Sequence, residues 1–190
     1  MSTFKIHTLD SAPAASKPLL EHSLKSYGMV PNLHAVMAES PEHLDAYKKL
    51  HDLFEHTSLS VAERNVVWLA INVEHGCHYC VPAHTWIAKA QGLDEATVAA
   101  LRDARPLPDA RLETLRQFTL RLVRQRGNVA EADVKAFLAA GFTQRNVLDI
   151  LLGLAQKVMS NYVNHLAATP VDAPFAAHAW TAPAQAQAAA

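Results

Sequence analysis

Helix starts and stops recur from residue 16 to residue 168, and no stretch between them alternates apolar and polar residues as a half-buried strand would. Ser16 stands ahead of Pro18 and an apolar pattern that stops at Gly28, and a short helix is expected after Asn32. Ser40-Pro41 sets a cap and a first-turn proline ahead of the stripe Leu44, Tyr47, Leu50 and Phe54. Ser60-Val61-Ala62-Glu63 has the spacing of a capping box, opening a helix through Val73 that Gly76 stops. The next helix ends near Gly92, and Asp94 opens another to about Ala104, where Pro106 and Pro108 interrupt. Leu112, Leu115, Phe118, Leu122 and Val123 define a helix ending at Gly127. Asn128-Val129-Ala130-Glu131 then resembles a cap for a helix stopped by Gly141. Thr143 opens the longest element, in which Val147, Ile150, Leu151, Leu154, Val158, Tyr162 and Leu166 keep helical spacing. An all-α bundle of about eight helices follows over residues 16–168. Residues 1–15 read as an extended arm. Residues 169–190, rich in Pro and Ala, read as a tail partly disordered or wrapped on a partner subunit.

At 190 residues one domain is expected, and half the residues are hydrophobic with only six Gly, as helical packing favours. The formal net charge of -1 gives no reason to expect nucleic acid or an anionic membrane as partner. No apolar run approaches the roughly 20 residues that span a bilayer, and the first residues lack a secretory apolar core. A cytoplasmic setting is the expectation.

Both cysteines lie in Glu74-His75-Gly76-Cys77-His78-Tyr79-Cys80-Val81-Pro82-Ala83-His84. A bridge between residues so close removes little entropy from the unfolded chain, so a purely structural disulfide is a poor explanation. On one helix face Cys77 reaches Cys80 and Cys80 reaches His84. Pro82 suits only a first turn, which places a helix start near Tyr79 or Cys80 and the Cys80 sulfur at the positive end of its dipole. His84 is then placed to take the thiol proton or to stabilise the anion. Two other readings of these residues stand: thiols packed as small hydrophobes, or a metal site of Cys77, Cys80 and His84 completed by His75, His78 or Glu74.

The run Gly76-Cys77-His78-Tyr79-Cys80-Val81-Pro82-Ala83-His84 resembles the G-C-x-Y-C-x-x-x-H motif of AhpD-like alkylhydroperoxidases, in the carboxymuconolactone decarboxylase superfamily. Leu59-Ser60-Val61-Ala62-Glu63-Arg64 and Asn161-Tyr162-Val163-Asn164-His165 support the likeness, which covers most of residues 16–168. It implies an AhpD-like helical bundle and a thiol-dependent peroxidase or oxidoreductase acting on a hydroperoxide. In that resemblance Cys80 matches the peroxide-attacking cysteine, Cys77 the resolving partner, and His84 the relay histidine. A protein or small-molecule dithiol would return the pair to its reduced state. No cofactor and no metal is implied, and a homotrimer or homohexamer is. One departure stands out: the relay glutamate expected twelve residues before Cys77 is Asn65 here, with Glu63 on another face and Glu74 placed to substitute only if the chain folds back at Gly76. Alternatives are a redox-sensing or metal-binding module without turnover and a carboxymuconolactone decarboxylase-like enzyme.

Among the remaining residues, Tyr79 is expected to pack beside the thiols and His78 to face solvent. Asn65 is expected either to bond His84 or to lie on the surface. Asn164 and His165 are candidates to approach the site or an intersubunit contact. Trp68 and Trp86 read as core, with lining of a substrate pocket or surface needing subunit cover as alternatives, and His22, His34, His43, His51 and His56 as exposed.

Overall fold

Capping chemistry sets most of the element boundaries in the computed structural model, which describes residues 3–183. Nine α-helices and two 3-10 turns (Ala14–Ser16 and Ala173–His178) make up the regular structure of the described residues, an all-α bundle as expected. The helices are α1 (Lys17–Tyr27), α2 (Asn32–Met37), α3 (Pro41–Glu55), α4 (Val61–Glu74), α5 (Cys80–Ala90), α6 (Glu95–Arg102), α7 (Ala110–Arg124), α8 (Glu131–Ala139) and α9 (Gln144–Ala167). Ser40, Asp94 and Asp109 each accept from the third amide of α3, α6 and α7. Reciprocal boxes close α4 (Ser60 with Glu63) and α9 (Thr143 with Asn146). The cap expected at Asn128 is absent: Ala130 is the N-cap of α8, without a side-chain bond. Asn128 instead donates to Gln125 O at 3.3 Å, closing the end of α7.

The helix α4 is buried on nearly every side from Val66 to Val73 and packs on α5, α7 and α9. Two apolar clusters flank it. The larger includes Phe54, Trp68, Leu115, Ile150 and the stacked rings of Phe118, Phe137 and Phe142. The smaller joins Ala12, Leu20, Leu33, Met37, Leu44 and Tyr47 to Cys77, Tyr79, Cys80 and Phe175. It therefore draws together both ends of the described chain and the cysteine motif.

α9 departs from its apolar pattern. Its inner face carries Ile150, Gly153, Gln156, Lys157, Ser160, Asn161, Asn164 and Ala167, while Leu148, Leu151, Tyr162 and Leu166 are exposed. Polar residues occupy the inside because each finds a partner there, as described below. Gly153 permits close approach: a Cβ at this position would fall 2.7 Å from the Phe54 ring.

Of the expected tail 169–190, the described part packs on its own chain, with the turn Ala173–His178 against α5. Asp172 accepts from the Asn32 amide at 3.1 Å, and Asn32 Nδ2 donates to Pro170 O. Arg102 donates to His178 O and Ala179 O, and Trp180 Nε1 donates to Arg102 O. The rest of the expected tail, residues 184–190, and residues 1 and 2 of the expected arm lie outside the described residues. Of the five histidines expected to be exposed, His34 is buried between Tyr27 and Tyr47, and His51 stacks on Trp68. Trp68 is buried and Trp86 about half exposed. No helix among the described residues is long and apolar enough to cross a membrane.

Candidate active site

Gly76, at φ 65°, ends α4, and the chain turns so that α5 starts at Cys80 with Tyr79 as N-cap. A left-handed residue is needed there, which glycine adopts without a Cβ penalty. Pro82 falls in the first turn, where its missing amide hydrogen costs nothing. Cys77 and Cys80 are both reduced and buried, 0% and 2% exposed. The Cys80 amide donates to Cys77 Sγ at 3.3 Å.

Cys80 Sγ accepts from Asn164 Nδ2 at 3.2 Å. Burial alone would raise its pKa, but the Cys77 thiol, the Lys157 charge, Ser160 and Asn161 together hold it down to about 6. Cys77 moves the other way. Its proton is retained by the hydrogen bond it gives Cys80, and burial pushes the thiol further up. The pair is thus polarised, with the anion on sulfur 80 and the proton on sulfur 77.

His84 is 5% exposed, and its Nε2 accepts from Lys157 Nζ at 2.7 Å. Burial first, then the charge of Lys157, lowers the imidazole pKa well below its ordinary value, so the ring is neutral. Its Nδ1 is buried without a hydrogen-bond partner, as is Asn164 Oδ1. Trp68 lies against the same ring, at 5.0 Å between centroids, and its Nε1 donates to Gln156 Oε1 at 2.7 Å. A second polar chain runs from His75 through Asn161 and Asn72 to the Cys80 carbonyl, with links of 2.8, 2.9 and 3.4 Å. The Tyr79 hydroxyl donates to Asp172 and accepts from the Leu33 amide, tying residues after α9 to the motif.

Residues 41–120 match the profile of the Carboxymuconolactone decarboxylase family. An alkylhydroperoxidase AhpD core protein from Ralstonia eutropha JMP134, described as peroxidase-related, superposes with a TM-score of 0.82 at 22% identity, over 92% of this chain and 94% of that one. The chain has the AhpD-like helical fold.

Other proteins share this AhpD-like fold. A peroxidase-related protein from Silicibacter sp. TM1040 gives a TM-score of 0.77 at 24% identity, covering 91% of this chain and 92% of its own. The debrominase Bmp8, solved as a cysteine-to-alanine variant with 2,3,4-tribromopyrrole, gives 0.76 at 13% identity, over 93% and 95%. Among curated proteins none matches.

Within the AhpD-like framework, none of the three polar residues considered for the glutamate's place reaches His84. Asn65 is neither on the surface nor bonded to His84: it is buried and donates to Gln91 Oε1 at 2.7 Å, at the far end of α5. Glu63 closes its capping box and pairs with Arg111 at 2.9 Å. Glu74 is held by Arg124 at 2.6 Å, because the turn at Gly76 does not fold it back. His78 is exposed, with Nε2 3.0 Å from Thr169 O. Asn164 approaches the site; His165 is exposed. Three groups escaped the sequence reading: Lys157, Asp172 and Gln156. The only signal for Lys157 was a charge set between Leu154 and Val158 on a helix otherwise lacking charge from residue 150 to 164.

Proposed function

We propose that this AhpD-like protein is a thiol peroxidase in which Cys80 attacks a hydroperoxide and Cys77 resolves the product. The observation that carries the reading is the placing of the two sulfurs: Cys77 Sγ accepts from the Cys80 amide at 3.3 Å and Cys80 Sγ accepts from Asn164 at 3.2 Å, an arrangement that favours the anion on Cys80 and the proton on Cys77. The Cys80 thiolate attacks the outer peroxide oxygen, the O–O bond breaks, and Cys80 becomes a sulfenic acid as an alkoxide leaves and is protonated to the alcohol. The Cys77 thiol then displaces water from the sulfenic acid, forming the Cys77–Cys80 disulfide. An external dithiol reduces the disulfide and is itself oxidised. His84, neutral and with Nδ1 unpartnered, is the group placed to give a proton to the leaving oxygen.

A cytoplasmic setting, where thiols are kept reduced, suits a pair that must begin each cycle as a dithiol. Assembly into a homotrimer or homohexamer belongs to the same reading, and sedimentation tests it; the exposed row Leu148, Leu151, Tyr162 and Leu166 is the apolar surface available for it. The test of the chemistry is direct. Cys80→Ser is expected to abolish hydroperoxide turnover, and Cys77→Ser to leave a sulfenic acid that a dimedone-type probe captures. Full activity in Cys80→Ser would overturn the assignment. Burial of both sulfurs favours a second reading, a redox sensor that oxidises once without turnover; stoichiometric rather than catalytic loss of peroxide in the presence of excess dithiol would select it.

A further inference from the structure

Lys157 is the one charged group of the site that the steps above leave without a task. Its side chain is fully buried, and no ion pair among the described residues involves it. The titratable groups facing it are Cys77 and Cys80 in the motif, His84 on α5, His51 on α3 and His75 at the end of α4. The three histidines all have pKa values lowered by burial, and Cys77 keeps its proton. Of these five, only Cys80 is left to balance a buried ammonium, and a buried thiolate equally needs a cation.

We propose that Lys157 is both the counter-cation of Cys80 and the proton store of the cycle, supplying the leaving alkoxide through His84 and recovering its proton from Cys80 when the disulfide is reduced. The inference rests on the thiol peroxidase reading. Because His84 Nε2 accepts from the ammonium, the neutral ring carries its hydrogen on Nδ1, a tautomer assigned from this bond. That N–H is buried and unpartnered, so it is free to donate to an incoming oxygen. As the alkoxide takes the Nδ1 proton, Nε2 takes one from Lys157.

The step balances in charge and atoms: thiolate, hydroperoxide and ammonium become sulfenic acid, alcohol and neutral amine. Resolution by Cys77 releases water and leaves the amine neutral. Burial pushes the Lys157 pKa down, and only the two cysteines oppose it, so forming the disulfide removes what kept the ammonium charged. Reduction by the external dithiol regenerates two thiols, and the Cys80 proton passes back to the amine. Asn65, standing where the resemblance led one to expect a glutamate, needs no substitute carboxylate, because the charge behind His84 is a cation.

Two measurements test this. In the isotope-labelled full-length protein, the Lys157 side-chain nitrogen resonance is expected to report ammonium in the dithiol form and amine in the disulfide form at one neutral pH, and amine in reduced Cys80→Ser. In Lys157→Met, which keeps the side-chain bulk without charge, the midpoint of pH-dependent Cys80 alkylation is expected to rise from about 6 to about 8.5 or above. Should that variant fail to fold, the resonance in the unaltered protein decides alone. An ammonium in both oxidation states, or an unchanged midpoint in a folded Lys157→Met, overturns the proposal while turnover by the unaltered protein upholds the peroxidase reading. A midpoint in the ordinary thiol range with no peroxide consumed by the unaltered protein overturns both.

Discussion

Replacing Gly153 by alanine perturbs the contact that brings α9 against α3. The new Cβ would lie 2.7, 2.9 and 3.1 Å from three atoms of the Phe54 ring. Phe54 is fully buried and packs on Trp68 with 5.0 Å between centroids, so its ring has little space to yield. Alanine favours the helix over glycine by about 1 kcal/mol, while overpacking costs about 1–3 kcal/mol. With two of the approaches below 3 Å, the steric loss belongs in the upper half of that range. The net expectation is a loss of about 1–2 kcal/mol, or roughly 2–8 °C in Tm for a chain of this size. Thermal unfolding of the reduced protein, followed by circular dichroism, measures it. Lys157 lies one turn further along α9, so an outward shift also loosens its bond to His84, and the Cys80 alkylation midpoint is expected to rise. Phe54→Leu should relieve the overlap, making the double variant more stable than the sum of the two single losses by at least ~0.5 kcal/mol. A Tm at or above that of the unaltered protein in Gly153→Ala would refute the reasoning.

Asp172→Ala removes the acceptor shared by the Tyr79 hydroxyl and the Asn32 amide, and leaving such groups unpaired costs about 1–3 kcal/mol. Chymotrypsin cleavage at Phe175 or Trp180 and alkylation of Cys80 should both accelerate about fivefold or more; unchanged rates would show that the carboxylate is not what holds this segment. Burial lowers the pKa of His34 to about 3 and of His51 to about 4, so the folded state binds fewer protons than the unfolded one below the ordinary histidine value. Stability is therefore undiminished above about pH 6.5 and falls as the pH drops toward about 4, by ~2.7 kcal/mol per pH unit where both groups contribute. Urea unfolding between about pH 7 and 5 reads this slope, to which the buried His84 adds, and His34→Gln should remove about 1.4 kcal/mol per pH unit of it; an identical slope in the variant would contradict the assignment.

The helix boundaries were legible because their causes are local. Ser40, Ser60, Asp94 and Thr143 bond amides three residues away, and Gly28, Gly76 and Gly92 supply the left-handed stops. Ala130 was not, since nothing in an alanine announces a cap. The motif geometry was equally local, with Pro82 fixing where α5 begins. What surrounds the thiols came from far along the chain. Lys157 and Asn164 reach them from α9, a helix whose apolar spacing marked Leu151, Tyr162 and Leu166, all of which face outward. Periodicity assumes that inside means apolar, and α9 buries polar groups wherever a partner waits. The packing of residues 169–183 was not legible for a related reason: their Pro and Ala content lacks helical periodicity, yet Asp172 and Phe175 anchor them by single contacts that composition does not register.

The tie between Asp172, Tyr79 and Asn32 has a consequence for biosynthesis. A ribosome makes Asn32 and the two thiols long before it makes Asp172, so a nascent chain carries Cys77 and Cys80 through about half of translation without Asp172 and Phe175 against them. Chains truncated before that aspartate should therefore emerge with sulfurs that are modified faster than those of the full-length protein.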